Sequence, residues 1–299
     1  MNPSRYSRRA IVRGSAGLLA LQLALPFRTA QAQAPSPARG ERLIIANSYI
    51  ADIAVALGGA SLVVAVGGGT DHLAALAKVP RLPGFRQTSA EPMLAVSPTR
   101  VIVSNEWTVP QTLDQLRSAG VKVDVIDGEQ SPAGVERRIR FVAGVLGRAA
   151  EGEALVQRFQ REMQDVAAQV AKVKRRPKAL FILAGGQRPT LVGGRGTNVA
   201  ALLELAGAEN VAQGIEGFKV MSQEAMIEAT PEFILTNQDG TVLRDGIPVA
   251  LQAPGALATP AGKAGRLITV PGQYLQGMGI LTPEGIRLLG RQLHPQVFT

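Results

Sequence analysis

The chain of 299 residues is 46% hydrophobic, 4% aromatic and 18% charged, a balance that suits one large or two medium globular domains with Ala, Val and Leu cores and excludes a long disordered polymer. Its net charge of +9 points toward nucleic acid, but Arg5, Arg8, Arg9, Arg13 and Arg28 precede every acidic residue; removing these five from 32 leaves 27 basic against 23 acidic residues. Those charges are dispersed and do not alternate with aromatics as a base-stacking surface would, so no nucleic-acid partner is expected.

The first 32 residues have the form of an export signal: a basic region through Arg13, an apolar stretch over 14–25, and small residues Ala30 and Ala32 before Gln33. Cleavage is expected after Ala32, with release into the periplasm. The paired Arg8 and Arg9 resemble a twin-arginine signal, although ordinary secretory signals also carry such pairs. About a dozen apolar residues are too few to span a hydrocarbon core that needs roughly 20. With no cysteine in the chain, disulfides, thiolate metal sites, thiol nucleophiles and a lipid-modified N-terminal cysteine are all excluded.

After a linker over 33–40, the apolar run 43–46 predicts a buried strand, and 50–57 has helical spacing up to the stop at Gly58 and Gly59. Residues 62–66 predict a second strand running into Gly67, Gly68 and Gly69. A third strand is expected over 101–104, a helix over 110–119 closed by Gly120, and a fourth strand over 121–126. This alternation implies a mostly parallel sheet covered on both faces. From 149 to 176 the chain has no Gly or Pro beyond Glu153, which predicts one helix of about two dozen residues, roughly 36 Å long, ended by Pro177. The rhythm then restarts with a strand over 179–184, a helix over 198–205, strands over 233–236 and 267–270, and a last helix over 283–293. The expected fold is α/β: an N-terminal lobe over 41–148, an interlobe helix over 149–176 and a C-terminal lobe over 177–299. Two lobes joined by a stiff helix enclose a cleft that flexes little.

Enzyme signatures are missing. There is no Gly-x-Ser-x-Gly elbow, no His-Glu-x-x-His and no Gly-x-x-x-x-Gly-Lys-Ser/Thr loop. The triple glycine at 67–69 does not have dinucleotide spacing and reads as a plain turn. With His72 and His294 the only histidines, a zinc or manganese carrier would have to lean on carboxylates. One histidine suffices, however, for an iron whose four equatorial positions a porphyrin already fills. His72 sits three residues past the triple glycine at the carboxyl end of a strand, where ligands of open α/β sheets gather. Beside Asp71 it can equally be a solvated or capping residue, and the residues alone leave both readings open.

The stretch 63–98 resembles the periplasmic haem-binding proteins of bacterial haem ABC importers, members of the helix-bridged class III periplasmic binding proteins that carry siderophores, cobalamin or haem. In that family an apolar strand leads to a short polar turn, an axial tyrosine, a Pro, and then Arg-x-x-Ser-Ala-Glu before a helix and a Pro-anchored strand. Here Val63 to Val66, Pro80, Arg86, Ser89-Ala90-Glu91 and Ser97-Pro98 fall into that register, and His72 lands on the tyrosine position. The second half matches through Gly193-Gly194-Arg195-Gly196-Thr197, Ala206 to Asn210, Gly217-Phe218-Lys219 and Ser222-Gln223-Glu224-Ala225. Three positions depart from the pattern: Gly67 replaces the turn aspartate, Phe85 displaces an aromatic, and the ligand tyrosine is gone.

The resemblance implies two Rossmann-like lobes with haem between them, no catalysis and no catalytic cofactor. It also implies an ABC permease and ATPase as partners and a monomeric state. His72 becomes the expected axial ligand, with Tyr49 and Tyr274 next in line. Haem propionates need cations once desolvated, and Arg86, Arg195 and Lys219, in loops at predicted strand ends, are the candidates. Glu91 and Glu224, one at a helix start in each lobe, match glutamates that meet permease arginines in the family, while also complementing helix dipoles. The alternatives are a same-fold carrier of a ferric siderophore or cobalamin and, more distantly, a nucleotide- or tetrapyrrole-handling enzyme built on the Gly67 turn.

Overall fold

Short apolar runs that are buried on both faces become parallel strands, because only a sheet sandwiched between helices hides every side chain of such a run. In the computed structural model, which describes residues 40–82, 89–107, 109–184 and 190–298, β1 (Leu43–Ile45) is fully buried and is followed by α1 (Ser48–Ala56) and β2 (Val63–Val66). Next come α2 (Ala90–Leu94), β3 (Arg100–Ser104), α3 (Pro110–Ser118) and β4 (Lys122–Ile126). The four strands form an all-parallel sheet in the order β2-β1-β3-β4. Alternate residues divide its two faces. Leu43, Ile45 and Ile102 pack with α1, whereas Ile44, Val101 and Val103 meet Met93 of α2 and Leu113 and Leu116 of α3.

A helix absent from the sequence reading, α4 (Pro132–Leu146), covers the first of those faces. Its local signals are complete. The Ser131 hydroxyl accepts from Gly134 N at 3.1 Å, Pro132 opens the first turn, Val135, Ile139, Val142 and Leu146 form the buried stripe, and Gly147 closes the helix at φ 66°.

The long helix α5 (Ala149–Val170) bridges the two halves. Leu155, Val156 and Phe159 belong to the first lobe's core, Val166 belongs to the second's, and Met163 packs against both. It ends at Val170, not at Arg176. The apolar stripe stops there, and the following Lys172, Lys174, Arg175 and Arg176 offer no face to bury.

The second lobe comprises β5 (Lys178–Leu183), β6 (Leu191–Gly193), α6 (Asn198–Leu205), β7 (Glu209–Asn210), β8 (Phe218–Lys219) and α7 (Gln223–Ala229). It continues through β9 (Phe233–Thr236), β10 (Leu243–Arg244), β11 (Ile247–Pro248), α8 (Pro260–Lys263), β12 (Leu267–Thr269) and α9 (Thr282–Leu293). Its sheet runs β12-β9-β5-β6-β8, with β7 also on β5 and a separate β10-β11 hairpin. Here β5, β7, β9 and β12 are parallel, but β6 and β8 add antiparallel. This sheet is therefore mixed. Both lobes lie within one compact unit, and no helix among the described residues is long and apolar enough to cross a membrane.

Candidate functional site

The chain leaves the first sheet at Val66 and returns beside it. Val66 N donates to Pro80 O and Leu82 N to Val66 O, so residues 67–80 form a loop anchored at both feet at the carboxyl end of β2. Gly67 is required there. A Cβ on it would lie 1.9 Å from the Ala46 carbonyl oxygen, so the aspartate that the resemblance leads one to expect has no room. Gly69 adopts φ 82°, a conformation that favours glycine. Within the loop, the Thr70 hydroxyl donates to Gly67 O at 3.4 Å and Leu73 N to Thr70 O at 3.0 Å, which fixes the turn that carries His72. The triple glycine leads into the 70–73 turn and only a single 3-10 turn at Ala74–Leu76, an arrangement that fits the plain-turn reading.

His72 projects from this loop onto α1. Its Nε2 lies 2.6 Å from Asp52 Oδ1, with the histidine side chain 18% exposed and the aspartate 4%. Burial raises the Asp52 pKa above the usual carboxylate value, and the hydrogen bond and charge of His72 oppose that shift.

Asp52 and Tyr49, one helical turn apart on α1, form one wall of a narrow crevice between the lobes. Asn198 and Leu202 of α6 form the other, and Tyr274, Met278 and Thr282 line its remaining side. The enclosed space is about 10 Å³, room for about one water molecule. The segment between β12 and α9 crosses this seam. Met278 belongs to the first lobe's core, its N donates to Gln130 Oε1 at 2.8 Å, and its carbonyl accepts from Arg138 Nη2 at 2.8 Å.

The remaining candidates are placed as follows. Tyr49 is 1% exposed and lies beneath the Arg138 guanidinium, 5.2 Å from its ring centroid. Tyr274 is 7% exposed, on the second-lobe side of the same crevice. Burial pushes both phenols up to about 12, so forming a phenolate ligand is disfavoured at either. Arg195 is exposed and donates from Nε and Nη2 to Glu216 Oε2, each at 3.1 Å. Lys219 is exposed on β8 opposite Val192. Arg86 lies outside the described residues, as do the export signal and most of the linker. Glu91 and Glu224 are both exposed in the first turns of α2 and α7, and at α7 the cap is Ser222, whose hydroxyl accepts from Ala225 N at 3.2 Å. No group of three or more His, Cys, Asp or Glu among the described residues could hold a bare metal ion.

Two residues of this region escape the sequence reading. Asp52 is a single charge inside an apolar helical run, and Arg138 sits in the unrecognised α4; a charge on an otherwise buried stripe was the available signal for each.

One α/β lobe with a parallel sheet, a second with a mixed sheet, a bridging helix and a crevice between the lobes define a carrier fold. The chain belongs to the periplasmic binding protein family, whose model matches residues 43–274. Among solved structures it is similar to the periplasmic heme-binding protein RhuT from Roseiflexus sp. RS-1, with 31% identity, a TM-score of 0.81, and coverage of 86% of this chain and 99% of that one. A periplasmic heme-binding protein from Pseudomonas aeruginosa is 30% identical with a TM-score of 0.78, covering 86% and 94% of the two chains. The uncharacterized ABC transporter substrate-binding lipoprotein YvrC of Bacillus subtilis is 22% identical over 253 residues, 83% of this chain and 78% of that protein.

Proposed function

We propose that this protein is the substrate-binding component of an ABC importer and carries haem at the mouth of its interlobe crevice. The observation that carries this reading is the place of His72: partly exposed, at the carboxyl end of β2, bonded to a crevice-lining carboxylate. The similarity to two heme-binding proteins over most of the chain supports the same ligand.

A drug-sized ligand occupies roughly 300–1,000 Å³, far more than the enclosed slot, so haem lies over the crevice mouth with that slot as its floor. The His72 imidazole binds the iron, and Lys219, Arg195 and Arg86 meet the propionates. Arg195 is already paired with Glu216, so a propionate must displace that carboxylate, whereas Lys219 forms no ion pair among the described residues. Exposed Glu91 and Glu224, one on each lobe, orient the loaded protein on permease arginines. Residues 1–32 direct export and are removed near Ala32, by the twin-arginine or the general secretory route, and the mature protein acts as a monomer. No covalent bond of the ligand is made or broken during carriage.

Titration of the purified mature protein with ferric haem tests this. A saturable Soret band at one stoichiometric end point is expected, and His72→Ala should shift or abolish it. An unchanged band in that variant removes His72 from the site, and the absence of any saturable band removes haem.

A further inference from the structure

We propose that a basic groove at the amino-terminal ends of β5, β9 and β12 is a membrane-contact surface that takes the anionic headgroups of a phospholipid bilayer. This reading is independent of what the crevice carries.

Beyond the end of α5 at Val170, residues 172–178 hold five cations and no acid: Lys172, Lys174, Arg175, Arg176 and Lys178. The bend that presents them is fixed by the fold, since Lys172 N donates to Gln169 O, Val173 N donates to Val170 O, and Pro177 is buried. Arg266 joins them from the residue before β12, its guanidinium 5.7 Å from the Phe233 ring centroid. Lys172, Lys174, Arg175 and Arg266 line one groove of about 880 Å³, with Glu232 the acid among its described lining residues. That is room for a headgroup-sized ligand.

Arg175 is taken by Glu232, whereas the exposed Lys172, Lys174, Arg176 and Arg266 form no ion pair among the described residues. The dipole of α5 does not account for them. Its pull on cations falls off within the last turn, and Lys174, Arg175 and Arg176 lie four to six residues past Val170. Taking these six cations from the 27 basic residues beyond residue 32, and Glu232 from the 23 acidic ones, leaves 21 against 22. The groove and its flank therefore hold the whole excess of positive charge in that part of the chain.

Clusters of roughly four to eight Lys and Arg bind anionic bilayers by Coulomb attraction, with about fivefold in affinity for each cation near the surface. Lysines on flexible stems meet mobile headgroups without a fixed geometry. With no cysteine in the chain to carry a lipid, this surface gives the carrier a reversible hold on the bilayer. Glu224 stands in the first turn of α7 and Glu232 just past its end, so lipid contact and the proposed permease docking use opposite ends of that helix.

The test is cosedimentation of the mature protein with vesicles of phosphatidylglycerol mixed into phosphatidylcholine, against phosphatidylcholine alone. Binding to the anionic vesicles only is expected at low salt, and its loss at about 1 M salt, where the screening length is about 3 Å. The triple variant Lys172→Gln, Lys174→Gln, Arg266→Gln should bind roughly 100-fold more weakly. The charge-matched variant Arg117→Gln, Lys122→Gln, Arg161→Gln should bind like wild type. If the first triple variant does not fold, Lys172→Gln with Lys174→Gln decides, with an expected loss of roughly 25-fold. No binding to anionic vesicles, or an equal loss in the charge-matched variant, would overturn the proposal. Saturable binding of inorganic phosphate without vesicle binding would assign a small-anion site instead, and binding of polyglutamate without vesicle binding an acidic protein partner; either result also overturns it. Haem titration of the groove variants should give the wild-type Soret band, so the two readings stand or fall separately.

Discussion

Arg138 is the largest side chain that the described residues bury completely, at 1% exposure. Its Nη1 donates to the carbonyls of Asp127 and Glu129, each at 3.0 Å, its Nη2 donates to Met278 O at 2.8 Å, and its plane covers the Tyr49 ring. Burial lowers its pKa, the cost of taking a cation from water. Three carbonyl acceptors and an aromatic face offset that cost, and one of those acceptors belongs to the segment that crosses between lobes. Arg138→Leu leaves the carbonyls without their donor and should destabilise the fold by about 3 kcal/mol. Thermal melting should then fall by roughly 6–12 °C at 2–4 °C per kcal/mol. A melting point within about 1 °C of wild type would show that water replaces the guanidinium without penalty.

Between elements, α4 and α5 pack closely against each other. A Cβ on Gly152 would stand 2.3 Å from that of Ala143, so the two helices approach at a distance that only glycine permits. Gly152→Val should push them apart and cost about 1–3 kcal/mol by overpacking, read as a lower denaturant midpoint with an unchanged slope. At the other end of the bridge, Glu232 accepts from Arg175 Nη1 at 2.8 Å and from Lys178 N at 3.1 Å, tying the segment after α5 to β5 and β9. The Arg175 hydrogen bonds, foremost, bring its pKa down from 4.5 to about 2. The folded value lies below the unfolded one, so this pair stabilises the fold fully above pH 4.5 and loses its contribution as pH falls through about 2. Arg175 is 71% exposed, so solvent screens the pair and keeps the effect small. Glu232→Gln should therefore flatten the stability curve across that acid window in melts taken at successive pH values, and leave neutral-pH affinity for haem untouched.

At the scale of the whole molecule, the two lobes are held at their seam by α5, which feeds both cores, and by the segment around Met278, which leaves the second lobe to fill a place in the first. That arrangement closes the crevice floor and leaves a partly exposed His72 beside it. In the proposed carriage it would also separate two tasks, since the His72 loop follows the carboxyl end of β2 while Glu91 and Glu224 stand exposed at helix starts on different lobes. Charge reversal of both glutamates, Glu91→Arg with Glu224→Arg, should cut haem uptake by cells at least tenfold, the loss of about 1.4 kcal/mol of docking energy, with haem affinity of the purified protein unchanged. Loss of affinity instead would mean that the two residues serve the fold.

Much of the local architecture is legible in short windows of residues. The expected strand at 233–236 and helix at 198–205 coincide with β9 and α6, and the expected alternation produced the parallel first sheet. Apolar periodicity and caps act over a few residues, so they are legible in a short window. The same window contained the signals for α4, which went unread. Tertiary structure decided what no window contains: that β6 and β8 join the second sheet antiparallel, that α5 stops at Val170 once it has nothing further to bury, that His72 meets Asp52, and that Arg138 reaches a carbonyl 140 residues away. Periodicity states that a face will be buried, but the partner across from it depends on how distant segments pack, and that choice is made only when the chain closes on itself.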